Sequence, residues 1–427
     1  MPTPRTTDRT DAHHQAESLA RRDLHDQVEE LSRLPPERAT SVFRELRPEH
    51  QSSLLDRLPR DRAGELLHGL RPDERARLLA TVEPERERDL IDLLPAGERA
   101  TTLQLVRYPP ESVGRMMTPD VLRLSRRDGR AEALDTVREC GPEVETVYTL
   151  PVVDDDRLVG IVDLRALLTA GDGAVVDDVM AEPAATLHPD QDQEVAARLV
   201  LTTEALALPV VDDEDRLLGL VTIDDAMEVL ELEQTEDALR ASGSEPLDQP
   251  YLASPLSRLV RSRATWLLAA AVAAILTVNV LEMFEAELAQ VVALSLFIPL
   301  LLGAGGNAGA QATATVVRAL AVDEVRVDDI GRVAWREVRV GAVLGGILGA
   351  AAVAPVWLVY DQRLATVVAL TLLGVCTIAT MIGAVLPVVV DRLGRDPAAV
   401  SAPFITTLVD ASGLLVYFLI ARTVFGL

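Results

Sequence analysis

The 427-residue chain contains no lysine. All 41 of its basic residues are arginine, set against 66 acidic ones, for a formal net charge of −25. A balance so negative argues against a nucleic-acid partner, which needs basic surface to neutralise phosphates, and favours cations. Cysteine is nearly absent as well. Cys140 and Cys376 fall in different halves of the chain, so no disulfide framework is available. The six histidines, at 13, 14, 25, 50, 68 and 188, lack the spacing of metal ligands and read as ordinary surface or core residues. No long apolar run precedes Arg33, so no signal peptide is expected and the polar half is expected to stay in the cytoplasm. No nucleophile–base pair or phosphate loop stands out, which argues against an enzyme. The glycines at 303–309 superficially resemble a dinucleotide loop. Their spacing fails at Ala308, however, and no βαβ unit surrounds them.

What is present is sharply divided. Residues 1–260 are rich in Asp, Glu and Arg, and residues 264–427 are mostly Ala, Val, Leu and Gly. The apolar half holds five stretches long enough to cross a bilayer, at roughly 264–284, 289–317, 340–360, 364–390 and 401–425. Arginines lie before the first stretch, between the second and third (Arg318, Arg326, Arg332, Arg336, Arg339), and between the fourth and fifth (Arg392, Arg395). The first-to-second connection carries only acids, Glu282, Glu285 and Glu287. The positive-inside rule then places the N-terminus in the cytoplasm and the C-terminus outside.

Asp410 lies inside the last apolar stretch. A carboxylate at that depth costs roughly 2.5–3.5 kcal/mol on the mildest scale and normally marks ion or substrate traffic, unless it caps a half-helix or pairs with an arginine. Thr406 and Thr407, one turn earlier, are candidate oxygen donors, each as readily bonded to its own helix. Pro403 is expected to free backbone carbonyls beside a cavity. In the second stretch Asn307 and Gln311 share a face at i, i+4, and the glycines around them permit close helix packing.

The polar half is repetitive. Leu34, Leu46, Leu58, Leu70, Val82 and Leu94 recur every 12 residues, each followed within two positions by a proline. Proline suits the first turn of a helix and breaks one already running, so the pattern predicts short helices stacked as a solenoid. A longer unit then occurs twice between Met116 and Leu230. LPVVDDDRLVGIVDLRALL at 150–168 is echoed by LPVVDDEDRLLGLVTIDDAMEVL at 208–230. Each copy reads as a strand, an acidic turn, a second strand after Gly160 or Gly219, and a helix. From 225 to 242 the chain is acidic and helical, with Glu233, Glu236 and Asp237 on one face, where like charges repel unless a cation bridges them.

The duplicated unit resembles a tandem pair of CBS domains, regulatory modules that often bind adenine nucleotides. Thr222-x-x-Asp225 matches that family's ribose-contact pattern, whereas the first copy has Asp163 and Ala166 there. The stretch 298–320, together with DPAAVSAPFITTLVDASGLLVYF at 396–418, resembles the MgtE family of magnesium channels, as does the order of parts. The resemblance implies a multidomain integral membrane protein. Its parts would be a flexible N-terminus (1–30), an α-helical solenoid lobe (31–110), two α/β CBS domains (111–172 and 173–230), an acidic connecting helix and linker (231–257), and a five-helix transmembrane domain (258–427). It further implies a homodimer in the cell membrane with an Mg2+ pore at the subunit interface, and places the family's pore carboxylate on Asp410. Matching regulatory carboxylates are Asp192, Glu194, Glu204, Asp225, Glu228, Glu233, Glu236 and Asp237, with Asp73 a candidate in the N lobe. ATP at the CBS pair is a further implied ligand. The chain has Ala402 where some members carry asparagine, so one polar pore contact is absent. The reading is a Mg2+ channel closed by high internal Mg2+. Two rivals are an ion-coupled carrier for Co2+ or Mn2+, and a membrane-anchored nucleotide sensor.

Overall fold

The computed structural model describes residues 6–247, 251, 254–322 and 324–426. They form two compact units, divided between Glu233 and Gln234.

The first unit opens with eight helices: α1 (Thr6–Ala20), α2 (Leu24–Arg33), α3 (Pro36–Arg44), α4 (Pro48–Leu55), α5 (Arg60–Gly69), α6 (Pro72–Ala80), α7 (Pro84–Ile91) and α8 (Ala96–Val106). Proline stands in the first turn of α3, α4, α6 and α7 and caps α5 and α8, positions where its missing N–H costs nothing. Each helix packs on the next but one: α1 on α3, α3 on α5, α5 on α7, and α2 on α4, α4 on α6, α6 on α8. The leucines of the 12-residue repeat meet in the resulting core. This is the expected solenoid, and it begins earlier than expected. The polar N-terminus, read as flexible to residue 30, is helical from Thr6. Ala12, Ala16 and Leu19 form an i, i+4, i+7 stripe buried in the same core, too sparse to register among its charges. Residues 1–5, and 248–250, 252 and 253 of the expected linker, lie outside the described residues.

The duplicated region follows as α9 (Val113–Met116), β1 (Leu124–Ser125), α10 (Arg130–Cys140), β2 (Thr149–Asp154), β3 (Arg157–Asp163), α11 (Leu164–Thr169), α12 (Val176–Val179), α13 (Gln193–Thr202), β4 (Ala207–Val211), β5 (Leu217–Thr222) and α14 (Ile223–Ala241). β1 pairs parallel with β2, which pairs antiparallel with β3. β4 and β5 pair antiparallel. The β2–β3 turn is Asp155-Asp156, both at positive φ, the twist a two-residue hairpin favours. The second strands do not begin after their glycines: Gly160 and Gly219 lie within β3 and β5. Those glycines mark where the copies exchange edges. Thr118, ahead of the first copy, bridges Leu220 in β5, and Ala181, ahead of the second, bridges Ile161 in β3. A Cβ on Gly219 would lie 2.5 Å from the Thr118 carbonyl oxygen, so no side chain is admitted there.

The second unit contains five helical segments long and apolar enough to cross a membrane: Leu256–Met283, Val292–Ala321, Val327–Val359, Gln362–Arg392 and Ala402–Phe425. The first comprises α15 (Leu256–Ala273) and α16 (Ile275–Met283). After α17 (Glu285–Gln290), a 3-10 turn leads into α18 (Ile298–Ala321). The others are α19 (Ile330–Val359), α20 (Gln362–Arg392) and α21 (Ala402–Phe425). Small residues set the spacing between them. Cβ atoms on Gly341 and Gly345 of α19 would sit 2.6 and 2.5 Å from backbone oxygens of α20, and one on Gly383 would sit 2.3 Å from the Gly309 carbonyl of α18. Thr313 Oγ1 donates to the Gly383 carbonyl at 2.9 Å across the same seam. Leucines, valines and tryptophans on α15 and α19 stay exposed, as lipid-facing helices require.

Candidate functional site

In the first unit the solenoid meets the duplicated region at α6, whose Ala76 is buried in the core of the second copy. The same helix carries Asp73, which is 0% exposed. Asp73, Glu145 (between α10 and β2) and Asp225 (α14) each offer a carboxylate oxygen, and these oxygens lie within 4.8 Å of one another. Both oxygens of Asp73 and Oε2 of Glu145 are buried without a hydrogen-bond partner. A buried carboxylate without partners is costly, and a cation is the partner that carboxylate oxygens suit. Burial first, then the Asp225 charge, pushes Asp73 up to about 7. Burial, then Asp73 and Asp225, pushes Glu145 up to about 8.

Two arginines moderate this crowding. Arg77 donates to Asp225 Oδ1 at 3.0 Å and to Glu228 Oε2 at 3.0 Å, and reaches Asp73 Oδ2 at 3.5 Å as an ion pair. Arg71 bonds Glu145 and Glu74. Burial alone would lower the pKa of Arg77; Asp225, Glu228 and Asp73 outweigh it and raise it. Asp225 also accepts from Thr222 Oγ1 at 2.6 Å. The proposed ribose ligand and the cation ligand are therefore the same carboxylate, already shared by a hydroxyl and a guanidinium.

The remaining regulatory candidates are dispersed. Asp192 caps α13, its Oδ1 accepting from the backbone N–H groups of Glu194 and Val195. Glu194 pairs with Arg198 on its own helix. Glu204 sits exposed at φ +53° in the turn after α13. Glu233 accepts from Gln193 Nε2 at 3.0 Å. On the expected repulsive face of Glu233, Glu236 and Asp237, Gln193 of α13 thus reaches Glu233, and Arg240 of the same helix pairs with Glu236. In the second unit Glu236 pairs with Arg240, which donates to Asp396 Oδ2 at 2.8 Å. Asp237 lines a cavity of about 330 Å³ between α14, α18 and the start of α21, with Gln234, Thr313, Arg318 and Ala402 among its neighbours.

In α21, Asp410 is half-buried and makes no hydrogen bond or ion pair among the described residues. Thr406 Oγ1 donates to the Pro403 carbonyl at 2.9 Å and lies 3.1 Å from that of Ala402, and Thr407 Oγ1 donates to Pro403 at 2.9 Å. Pro403 lies in the first turn of the helix, where no bond is lost, so the carbonyls it was expected to free are engaged by these hydroxyls. α18 faces α21 through Gly305, Gly306 and Gly309, which approach Ile405, Thr406 and Val409. Asn307 and Gln311 lie on another face. They line a cavity of about 490 Å³ with Leu344, Ile347, Leu348 and Cys376, to which α21 contributes nothing. Within one chain Asn307 is therefore not grouped with Asp410. Glu145, Arg71, Arg77, Arg240 and Asp396 were not anticipated. Only the i, i+4 spacing of Asp73 and Arg77 could have hinted at them.

Known proteins match this layout. Residues 298–420 match the MgtE family of divalent cation transporters, 10–111 the MgtE intracellular N domain, and 113–173 and 176–232 the CBS domain. The magnesium transporter MgtE of Thermus thermophilus is 37% identical over 319 residues, covering 74% of this chain and 71% of that protein. The magnesium transporter MgtE of Enterococcus faecalis is 32% identical over 321 residues, covering 74% and 70%. Among solved structures, the cytosolic domain of the Mg2+ channel MgtE in complex with ATP aligns at a TM-score of 0.45 and 34% identity, over 50% of this chain and 93% of that one.

Proposed function

The chain belongs to the MgtE family of magnesium transporters, and from that premise we propose that it is a homodimeric, Mg2+-gated Mg2+ channel with Asp410 as its pore ligand. The observation that carries this is Asp410 itself: a carboxylate within a helix long and apolar enough to cross a membrane, with no hydrogen bond or ion pair among the described residues. Such a group is retained where it faces an ion path. One carboxylate does not make a Mg2+ site. Two, related by a two-fold axis, can hold an ion that keeps most of its water, which suits an ion that dehydrates reluctantly. Thr406 and Thr407 keep acceptor lone pairs and can line the same path, while Asn307 is left to a secondary role.

The arginine-rich second-to-third connection supports a cytoplasmic N-terminal unit, and with five spans the C-terminus would then lie on the opposite side. The sensor is then the Asp73–Glu145–Asp225 constellation, whose orphaned oxygens a divalent ion would satisfy. When internal Mg2+ is high, the ion-bound arrangement is favoured. When it falls, uncompensated carboxylates destabilise that arrangement and the open state gains population. α14 carries Asp225 and Glu228 near its start and Glu236 and Asp237 near its end. An adenine nucleotide at the CBS pair would engage Thr222 and Asp225 and so compete directly with the sensor.

The test is Mg2+ influx into proteoliposomes, wild type against Asp410→Asn, with Mg2+ varied on the cytosolic face. Flux that requires Asp410 and declines as cytosolic Mg2+ rises is the expected result. Flux that survives in Asp410→Asn would refute the pore assignment, and indifference to cytosolic Mg2+ would refute the sensor.

A further inference from the structure

The cluster at α6 already contains a cation of its own. We propose that Arg77 is a tethered counter-ion that holds the solenoid lobe to the second CBS copy in the absence of metal, so that Mg2+ binds there only by displacing it. The inference rests on the sensor reading above and specifies how that sensor is regulated.

Three observations on Arg77 support it. Its guanidinium touches carboxylates from two separate parts of the fold, Asp73 on its own helix and Asp225 and Glu228 on α14, across 148 residues of sequence. Its side chain is 15% exposed, so these are not screened surface pairs. The Asp225 oxygen it occupies belongs to a carboxylate that is also one corner of the three-oxygen constellation, and the other Asp225 oxygen is taken by Thr222. A divalent ion binding Asp225 therefore competes with Arg77 at one oxygen and with the Thr222 hydroxyl at the other.

Charge explains why both states are tenable. Among the described residues the five carboxylates Asp73, Glu74, Glu145, Asp225 and Glu228 share three arginines, Arg44, Arg71 and Arg77, a formal deficit of two charges. The arginines bring the lobe to a metastable closure, with the oxygens of Asp73 and Oε2 of Glu145 still unbonded. One divalent cation would complete the neutralisation once Arg77 swings toward Glu228, which is half exposed and gives it a place to go. The set point for Mg2+ is then fixed by how firmly Arg77 is held. A planar guanidinium forking between two carboxylates is firmer than an ammonium would be.

The experiment is isothermal titration of MgCl2 into the full-length, EDTA-washed protein in detergent, comparing wild type, Arg77→Lys and Arg77→Gln. Any ion bound at Asp410 is common to all three and cancels. Losing the competing guanidinium should reveal in Arg77→Gln a site at least about tenfold tighter than any the wild type shows outside the pore. Adding Asp225→Asn should abolish that site. Arg77→Lys, which keeps the charge and loses the fork, should fall between wild type and Arg77→Gln. It tests the idea by itself if Arg77→Gln does not fold. Identical titrations in wild type and Arg77→Lys, or a gain that survives Asp225→Asn, would overturn the proposal. A wild type silent in the liposome flux assay would sink the transport reading while leaving this titration interpretable.

Discussion

Asp225 in the polar unit and Asp410 in the membrane unit are both carboxylates withdrawn from bulk water, and they are treated oppositely. Asp225 has a hydroxyl on one oxygen and a guanidinium on the other, and acidic neighbours beyond. Asp410 has neither a hydrogen bond nor an ion pair among the described residues. A crowded, partly neutralised cluster responds to a change in ion concentration, because a cation competes there with an internal rival. On the proposed reading, a bare carboxylate such as Asp410 offers no rival and suits passage, where an ion must leave as readily as it enters. If the two sites act as proposed, the difference teaches that sensing and conduction use the same ligand chemistry and differ in whether a competing cation is built in.

The comparison breaks most visibly at Asp410. Asp410→Asn keeps the volume and removes the charge. Mg2+ flux in proteoliposomes should fall to the protein-free background, while the purified variant should elute and melt as wild type does. Residual flux above background would mean that the path lies elsewhere.

Next in size is the seam that fixes α18, and hence the face it offers α21. Gly383→Val would drive a branched side chain into the Gly309 carbonyl, 2.3 Å from where its Cβ must sit. Neither partner can yield, because both are backbone. Overpacking of this kind costs about 1–3 kcal/mol, so thermal melting in detergent should drop by several degrees and flux should fall with it. The same substitution at Gly303, whose Cβ would meet nothing within 4 Å, should leave melting unchanged.

A smaller effect reads the crowded cluster around Asp225 by pH, through Asp73 and Glu145. Asp73 titrates near 7 and Glu145 near 8 in the folded state, both above their unfolded values, because burial and like charge disfavour ionisation. The folded chain therefore holds protons that the unfolded chain has released. Stability contributed by these groups is greatest below about pH 4 and is lost as pH rises toward about 8. Melting of the EDTA-treated protein should decline over that window. Saturating Mg2+, which requires the ionised forms, should flatten the decline. Asp73→Asn should flatten it without Mg2+. A decline unchanged in Asp73→Asn would place the titration elsewhere.

Much of this was legible in the chain. The 12-residue spacing of leucine and proline determines short helices, because proline is tolerated at their first turns and nowhere else. Asp410 stands out because it lies within a long apolar stretch of sequence. The charge cluster did not stand out. Arg71 and Glu145 are 74 residues apart and Arg77 and Asp225 are 148 apart, so no local period links them. Asn307 and Gln311 were correctly placed on one helical face, but spacing along a helix does not say which neighbour that face meets. The acidic stretch after Asp225 looked like a separate connecting segment, yet it is the continuation of the helix that begins at Ile223.

The smallest effect concerns the carboxylates that resemblance, rather than geometry, nominated as sensors. Asp192 spends its Oδ1 on the backbone N–H groups of Glu194 and Val195, which an α-helix leaves without partners at its first turn. That is a capping role, and replacing such a residue by alanine costs about 1 kcal/mol. Asp192→Ala should therefore lower melting slightly, by the same amount in EDTA and in Mg2+, and leave the cytosolic Mg2+ concentration for half-closure where it was. Glu228→Gln, one of the carboxylates that hold Arg77, should shift that concentration instead. If Asp192→Ala moved the closure midpoint as far as Glu228→Gln, the division between capping and sensing carboxylates drawn from their hydrogen bonds would fail, and the sensor would extend to the first turn of α13.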